Sequence, residues 1–265
     1  QPEHLKTTAQ YIANQFETLG LKLTREMVEY EGTQSYNILG QKPGDPKANE
    51  VFVLAAHYDS VPETPGADDN ASAVAALLEI AHNLSQTPLQ IPLIFSAFTL
   101  EEYGFLGAKN FIDRDPKRKN QISGMISLEM VGFKTSEPGS QSYPPYMDPL
   151  QYPDTGDFIA VVANEPSASL AKAIAEGMTH SAPTLKLETL VVPGQGDSFT
   201  EVRLSDHSPF WDVNIPAVMV TDTAFFRNPN YHQPSDTLET LDLEFIQENA
   251  QAVAGFLKHH LNRTG

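Results

Sequence analysis

Val51-Phe-Val-Leu-Ala-Ala-His57-Tyr58-Asp59 is the stretch that decides the fold. Six apolar residues run without a polar break, and three side chains able to do chemistry follow at once. A strand with one face in water would alternate. A continuous apolar run implies cover on both faces, as in a parallel or mixed sheet packed between helices. The run is far too short to cross a bilayer, and no longer one occurs, so no membrane span is expected.

The same arrangement recurs outward from it. Residues 92–98 form a second buried-strand run, and Glu101 and Glu102 follow. Residues 125–128 form a third, ending at Glu129. Residues 217–220 form another, and the loop after it carries Tyr231 and His232. Residues 158–163 and 190–192 add two more strands. Between them lie stripes at helical spacing: Leu5, Ala9, Ile12, Ala13 and Phe16, stopped by Gly20, and later Val74, Leu77, Leu78 and Ala81. Helices are expected over 104–113 and 167–179, and a last one burying Ile246, Ala250, Val253 and Leu257. Strands alternating with helices make an α/β sandwich with a largely parallel sheet. Residues 134–157, rich in Pro, Gly, Ser and Tyr, read as a long functional loop or lid. No linker separates a second unit, so 1–265 reads as a single catalytic domain.

Composition narrows the function. The 265 residues hold 34 acidic and 17 basic side chains, a formal net charge of −17. Such a surface repels nucleic acid, so no nucleic-acid partner is expected. There is no cysteine. Disulfides, thiolate zinc sites and cysteine nucleophiles are therefore excluded. The compartment stays open, because a mature exported chain, periplasmic or secreted, would also lack a leader. Sequons stand at Asn70, Asn83 and Asn262, and a glycan at the first would block the proposed site.

Five motifs carry the chemistry. In open α/β sheets, ligands bind beyond the carboxyl ends of the strands, where distant residues converge. Imidazole and carboxylate together suit zinc or another borderline divalent metal. In His57-Tyr58-Asp59, positions i and i+2 of extended backbone face the same way, so Asp59 can bond the non-ligating nitrogen of His57. In the stretch 66–72, Asp68 and Asp69 are adjacent and precede a helix expected to start at Asn70 or Ala71. Helix capping accounts for one Asp but not both. In Glu101-Glu102, extended backbone would send the side chains apart, one to a metal and one to a water, as a general base requires. Glu129 directly after a buried strand is costly unless paired or metal-bound. Tyr231-His232 offers a ligand beside a phenolic donor for oxyanion charge.

Together these residues resemble the di-zinc exopeptidase family of bacterial leucyl aminopeptidases, whose relatives include glutamate carboxypeptidases and glutaminyl cyclases. The stretches AAHYDSVPETPGADDNASA, AFTLEEYGFLGA, SLEMVG, SDHSPFW and YHQPSDT carry the resemblance. It implies a three-layer α/β/α sandwich with a mixed, mostly parallel sheet of about eight strands. It implies two zinc ions, with Asp69 bridging, His57 and Glu129 completing one site, and Glu102 and His232 the other. It also implies Glu101 as general base, Tyr231 as oxyanion donor, Asp59 as the partner of His57, and a cis peptide after the bridging Asp. The substrate implied is a peptide with a free N-terminus held near Glu129. Many relatives carry Asp where this chain has Glu129, so that metal is expected to bind in another mode or less tightly, and that site can be empty.

Residues 194–199 with Arg203, Asp206, His207 and Phe210 are expected to build the substrate-pocket wall, with His207 structural rather than ligating. Three other readings share the fold: a glutaminyl cyclase with one zinc, a glutamate-type carboxypeptidase, and a scaffold that has lost its ligands. The preferred N-terminal residue and the oligomeric state are not legible in the sequence.

Overall fold

The computed structural model describes residues 2–262. Its elements in chain order are α1 (Pro2–Thr18), β1 (Lys22–Tyr30), β2 (Thr33–Lys42), β3 (Val51–His57), α2 (Ala73–Leu84), β4 (Leu93–Phe98), α3 (Leu106–Arg114), α4 (Pro116–Lys119), β5 (Ile122–Glu129), β6 (Ile159–Asn164), α5 (Ala168–Ser181), β7 (Leu187–Val192), α6 (Ser208–Asp212), β8 (Ala217–Thr221) and α7 (Leu243–His260). One mixed sheet of eight strands has the order β1-β2-β4-β3-β5-β8-β6-β7. Strands β4, β3, β5 and β8 are mutually parallel along its centre. The β1–β2 hairpin pairs antiparallel to β4 on one side. On the other side β6 runs antiparallel to β8 and carries β7 parallel to itself.

Every residue of β3 is buried, as its unbroken apolar run requires. Its side chains alternate between two cores: Phe52, Leu54 and Ala56 face one, and Val53 and Ala55 the other. The first core packs against α1, α2, α5 and α7, and the second against α3 and α6. Phe52 and Phe95, fully buried, each contribute about 2 kcal/mol of transfer free energy. The expected α/β/α layering is therefore present.

One element was missed by the sequence reading and one local expectation is corrected. The β1–β2 hairpin carries no apolar run, because β1 is an edge strand with most positions exposed. Its sign is the Glu31-Gly32 turn, where both residues take positive φ (48° and 78°), the pairing of a two-residue hairpin loop. The helix after Asp69 starts later than residues 70 or 71. Residues Ala67–Ser72 form a wide π-type turn with Asp69 and Asn70 outside helical backbone, and α2 begins at Ala73.

Parallel strands deliver their carboxyl ends to one edge of the sheet. His57 and Glu129 are the last residues of β3 and β5, and Glu101 follows β4 closely. The reversed strands β6 and β7 start at this same edge, so Ala160 stands beside Thr221 at the end of β8, and Glu188 beside Ala160.

Candidate active site

Two groups of ligand-bearing side chains form at that edge: His57, Glu101 and Glu129, and beside them Asp69, Glu102 and His232. Within each group, the nearest donor atoms lie within 4.8 Å of one another. Asp69 joins the two. Its Oδ1 lies 3.3 Å from His57 Nε2 and its Oδ2 lies 3.0 Å from His232 Nε2. Glu129 Oε2 and Glu101 Oε2 approach His57 Nε2 at 3.5 and 3.9 Å, and Glu102 Oε2 approaches His232 Nε2 at 3.3 Å.

The turn holding Asp69 is fixed from several directions. Asp236 accepts from the main-chain N–H groups of Asp68 (2.9 Å) and Asp69 (3.2 Å). Asn70 bonds Leu128 O and Met130 N, clamping the turn to the end of β5. The Asp69–Asn70 peptide is cis, as the resemblance implies. Asp68 is not a helix cap. Its carboxylate accepts from Gly132 N (2.9 Å) and Asn228 Nδ2 (2.7 Å), which ties the turn to two other loops.

Glu101 and Glu102 diverge, though not on extended backbone. Leu100 has φ of 56°, and a tight turn through Tyr103 and Gly104 sends the two carboxylates to different histidines. Asp59 acts differently from the expectation as well. Its carboxylate accepts the amides of Glu101 (3.1 Å) and Glu102 (3.3 Å), and so fixes that turn. The hydrogen bond from His57 Nδ1 goes to the main-chain oxygen of Asp59 at 3.1 Å, while the carboxylate stands at 3.6 Å. Either way, Nδ1 is taken as a donor, which leaves Nε2 as the nitrogen facing the carboxylates.

These charges perturb one another strongly. Burial raises the carboxyl pKa of Glu101 well above its usual range, as do the neighbouring carboxylates. Burial raises that of Glu129 as well. Burial opposes a low pKa for Asp69, yet its hydrogen bonds to His232 and His57 bring it down to about 2. Burial would lower His57, but Glu101 and Glu129 push it well above its ordinary value. Hydrogen bonds to Asp69 and Glu102 raise His232 to about 10. A crowd of buried carboxylates with two imidazoles calls for a cation. The donor geometry agrees: Glu102 Oε1 and His232 Nε2 are buried without a properly directed hydrogen bond, although Asp69 Oδ2 stands close to that nitrogen. The donor set of imidazole and carboxylate fits zinc.

Two supporting residues stand in roles the sequence reading did not give them. Ser205 Oγ donates to Glu129 Oε2 at 2.6 Å. Asp206 is wholly buried, neither of its oxygens has a hydrogen-bond partner among the described residues, and burial raises its pKa well above the carboxylate range. The SDH stretch was the available signal for both. His207 binds no ligand group. Its Nε2 meets Val202 O at 2.7 Å and its ring lies edge-on to Trp211.

Beside Glu129 and Tyr231 opens a pocket of about 820 Å³, counting its mouth. Its floor is the sheet face of β8, β6 and β7, including Met219, Val162 and Leu190. Its walls are Tyr143, Tyr152, Phe225 and Phe226. The expected wall is corrected: none of 194–199, Arg203, Asp206, His207 and Phe210 lines the pocket, the last three being buried, and Glu201, Val202 and Leu204 line it instead. The loop 134–157 supplies Tyr143 and Tyr152 and is pinned down: Gln141 bonds Thr223 and Arg227, and Ser142 bonds Phe226 O.

The profile of peptidase family M28 matches residues 37–257. An uncharacterised protein of Escherichia coli strain K12, YfbL, is 35% identical over 266 residues, covering 96% of this chain and 79% of YfbL. The aminopeptidase YwaD of Bacillus subtilis is 28% identical, over 87% of this chain and 46% of its own length. The chain thus spans about half of that curated aminopeptidase. Among solved structures, BSAP, a zinc aminopeptidase from Bacillus subtilis, superposes with a TM-score of 0.70 at 25% identity, over 88% of this chain and 52% of that one. A glutaminyl cyclase from Porphyromonas gingivalis superposes at 0.68 with 19% identity, over 96% and 89%, and shows the shared fold.

Proposed function

This chain belongs to peptidase family M28, and on that premise we propose that it is a zinc-dependent aminopeptidase that releases N-terminal residues from peptides. The observation that carries the reading is Asp69, whose two oxygens face two different histidines, each backed by a further carboxylate. That arrangement suits two metal ions sharing one carboxylate. His57, Asp69 and Glu129 would hold one zinc, and Asp69, Glu102 and His232 the other. Zinc, when bound, polarises a carbonyl and makes water nucleophilic near neutral pH.

The chain's own groups do the remainder. Glu101 stands beside this cluster with a raised pKa, which suits a carboxylate that takes a proton from the attacking water and returns it to the leaving amine. Tyr231 stacks on His232 at 3.8 Å and reaches the pocket, so its hydroxyl can donate to the developing oxyanion. Asp59 orients both His57 and the Glu101 turn. The free α-amino group of the substrate sits by Glu129, at the inner end of the pocket.

The test pairs metal content with hydrolysis of aminoacyl-p-nitroanilides, with and without chelator. Two zinc ions per chain and chelator-sensitive cleavage restored by zinc are expected. Glu101→Gln should abolish turnover while keeping the metal. Wild-type turnover in that variant would remove Glu101 from its role. Cyclisation of glutaminyl peptides without aminopeptidase activity would replace the reading with a cyclase.

A further inference from the structure

The pocket floor is crossed by one continuous row of register partners. Glu129 pairs with Thr221 across β5 and β8, Thr221 with Ala160 across β8 and β6, and Ala160 with Glu188 across β6 and β7. Register partners share a sheet face, and all four residues line the pocket. A single lateral row therefore runs from the carboxylate beside the metal cluster to a second carboxylate at the far wall. Neighbouring strands stand about 4.8 Å apart, so three steps separate the two backbones by roughly 14 Å.

Glu188 differs from the other carboxylates and from the side-chain amide that line this pocket. Glu201 accepts from Thr200, Gln141 is held by Arg227 and Thr223, and Glu129 accepts from Ser205. Glu188 is half-buried and has no hydrogen bond and no ion pair among the described residues. Between it and the cluster the floor offers Ala160, and a parallel row of Met219, Val162 and Leu190.

We propose that Glu188 determines specificity: it receives the cationic end of a long N-terminal side chain, lysine or arginine, whose aliphatic stem lies along the apolar floor. This deepens the aminopeptidase reading and rests on it. The dimensions agree. From α-nitrogen to Nζ an extended lysine spans roughly 7 Å, and a charge-assisted hydrogen bond at each end adds about 2.8 Å. The sum, near the row's length, leaves little slack once the two glutamates lean inward. A neutral side chain of equal length would strip water from Glu188 and give it no partner. A leucine would fall short of Glu188 altogether.

The experiment compares kcat/KM for lysyl-, arginyl-, norleucyl- and leucyl-p-nitroanilide, using zinc-loaded wild type and Glu188→Gln. Lysine and arginine should exceed norleucine in the wild type. The substitution should cut the cationic substrates about 10- to 100-fold and leave norleucine and leucine nearly unchanged. A purely structural role for Glu188, as one more charge on an edge strand, would lower all four alike. A wild type that cleaves norleucine as well as lysine overturns the assignment without needing the variant. So does an unchanged lysine-to-norleucine ratio in Glu188→Gln. In both cases chelator-sensitive cleavage of norleucine or leucine leaves the aminopeptidase reading standing. Cleavage of none of the four would overturn that reading and this inference together.

Discussion

Ser205 shows how one hydroxyl can tune a ligand. It donates to Glu129 Oε2 and fixes that side chain. Removing such an orienting partner commonly weakens metal affinity 10- to 100-fold. Ser205→Ala should therefore release one zinc to a competing chelator at about a tenfold lower chelator concentration, with the other zinc retained. Equal retention of both ions would show that Glu129 needs no support. His207 offers a test through pH. Burial lowers its pKa from 6.5 to about 4, so the folded protein keeps it neutral where the unfolded chain would protonate it. Its contribution is complete above pH 6.5 and is lost as pH falls from 6.5 towards 4, by up to about 3 kcal/mol. Urea unfolding of wild type and His207→Gln across that window should show the wild type losing stability more steeply. Parallel curves would contradict the assignment.

Among the elements, the turn from Glu101 to Gly104 depends on the seating of α3. Gly107, in the first turn of α3, lies against Thr99 O and Asn37, whose amide donates to Gly107 O. A Cβ there would collide with Thr99 O and stand 2.6 Å from Asn37 Oδ1. Gly107→Ala should push α3 away from β4, destabilise by about 1–3 kcal/mol as overpacking does, and lower kcat because Glu101 and Glu102 ride on the same turn. Full stability measured by denaturant midpoint would show that α3 tilts freely. Such dependencies explain what the sequence could and could not disclose. His57, Glu101, Glu102 and Glu129 were legible because each ends or follows an unbroken apolar run, and strand ends converge by topology. Asp59 was seen, but its carboxylate serves amides 42 and 43 residues away, which no local pattern encodes. Residues alone could not choose Asp69 over Asp68. The choice came from resemblance, and the loops that occupy Asp68 explain why only its neighbour is left facing the histidines. Strand β1 stayed hidden because an edge strand need not be apolar.

At the scale of the molecule, the net charge of −17 has its counterpart inside, where Glu101, Glu129 and Asp206 are buried near His57 and Asp222 is buried near Asp68. Burial raises all four carboxyl pKa values, so without metal the folded chain holds protons that the unfolded chain releases. That part of the stability grows as pH falls through the raised values towards the ordinary carboxylate range, and is absent above them. Zinc reverses the sense. Held as proposed by deprotonated Glu129 and neutral His57, it would compete with protons, and its stabilisation would grow with pH. An ion present at about a hundred times its dissociation constant adds roughly 2.7 kcal/mol to the folded state. For a chain of this size that is a rise in Tm of roughly 5–10 °C. Thermal melts of chelated protein, with and without added zinc, should therefore separate by several degrees at pH 8 and by less at pH 6. A separation that is equal at the two pH values, or larger at pH 6, would mean that the metal does not displace protons from this cluster and binds elsewhere on the acidic surface.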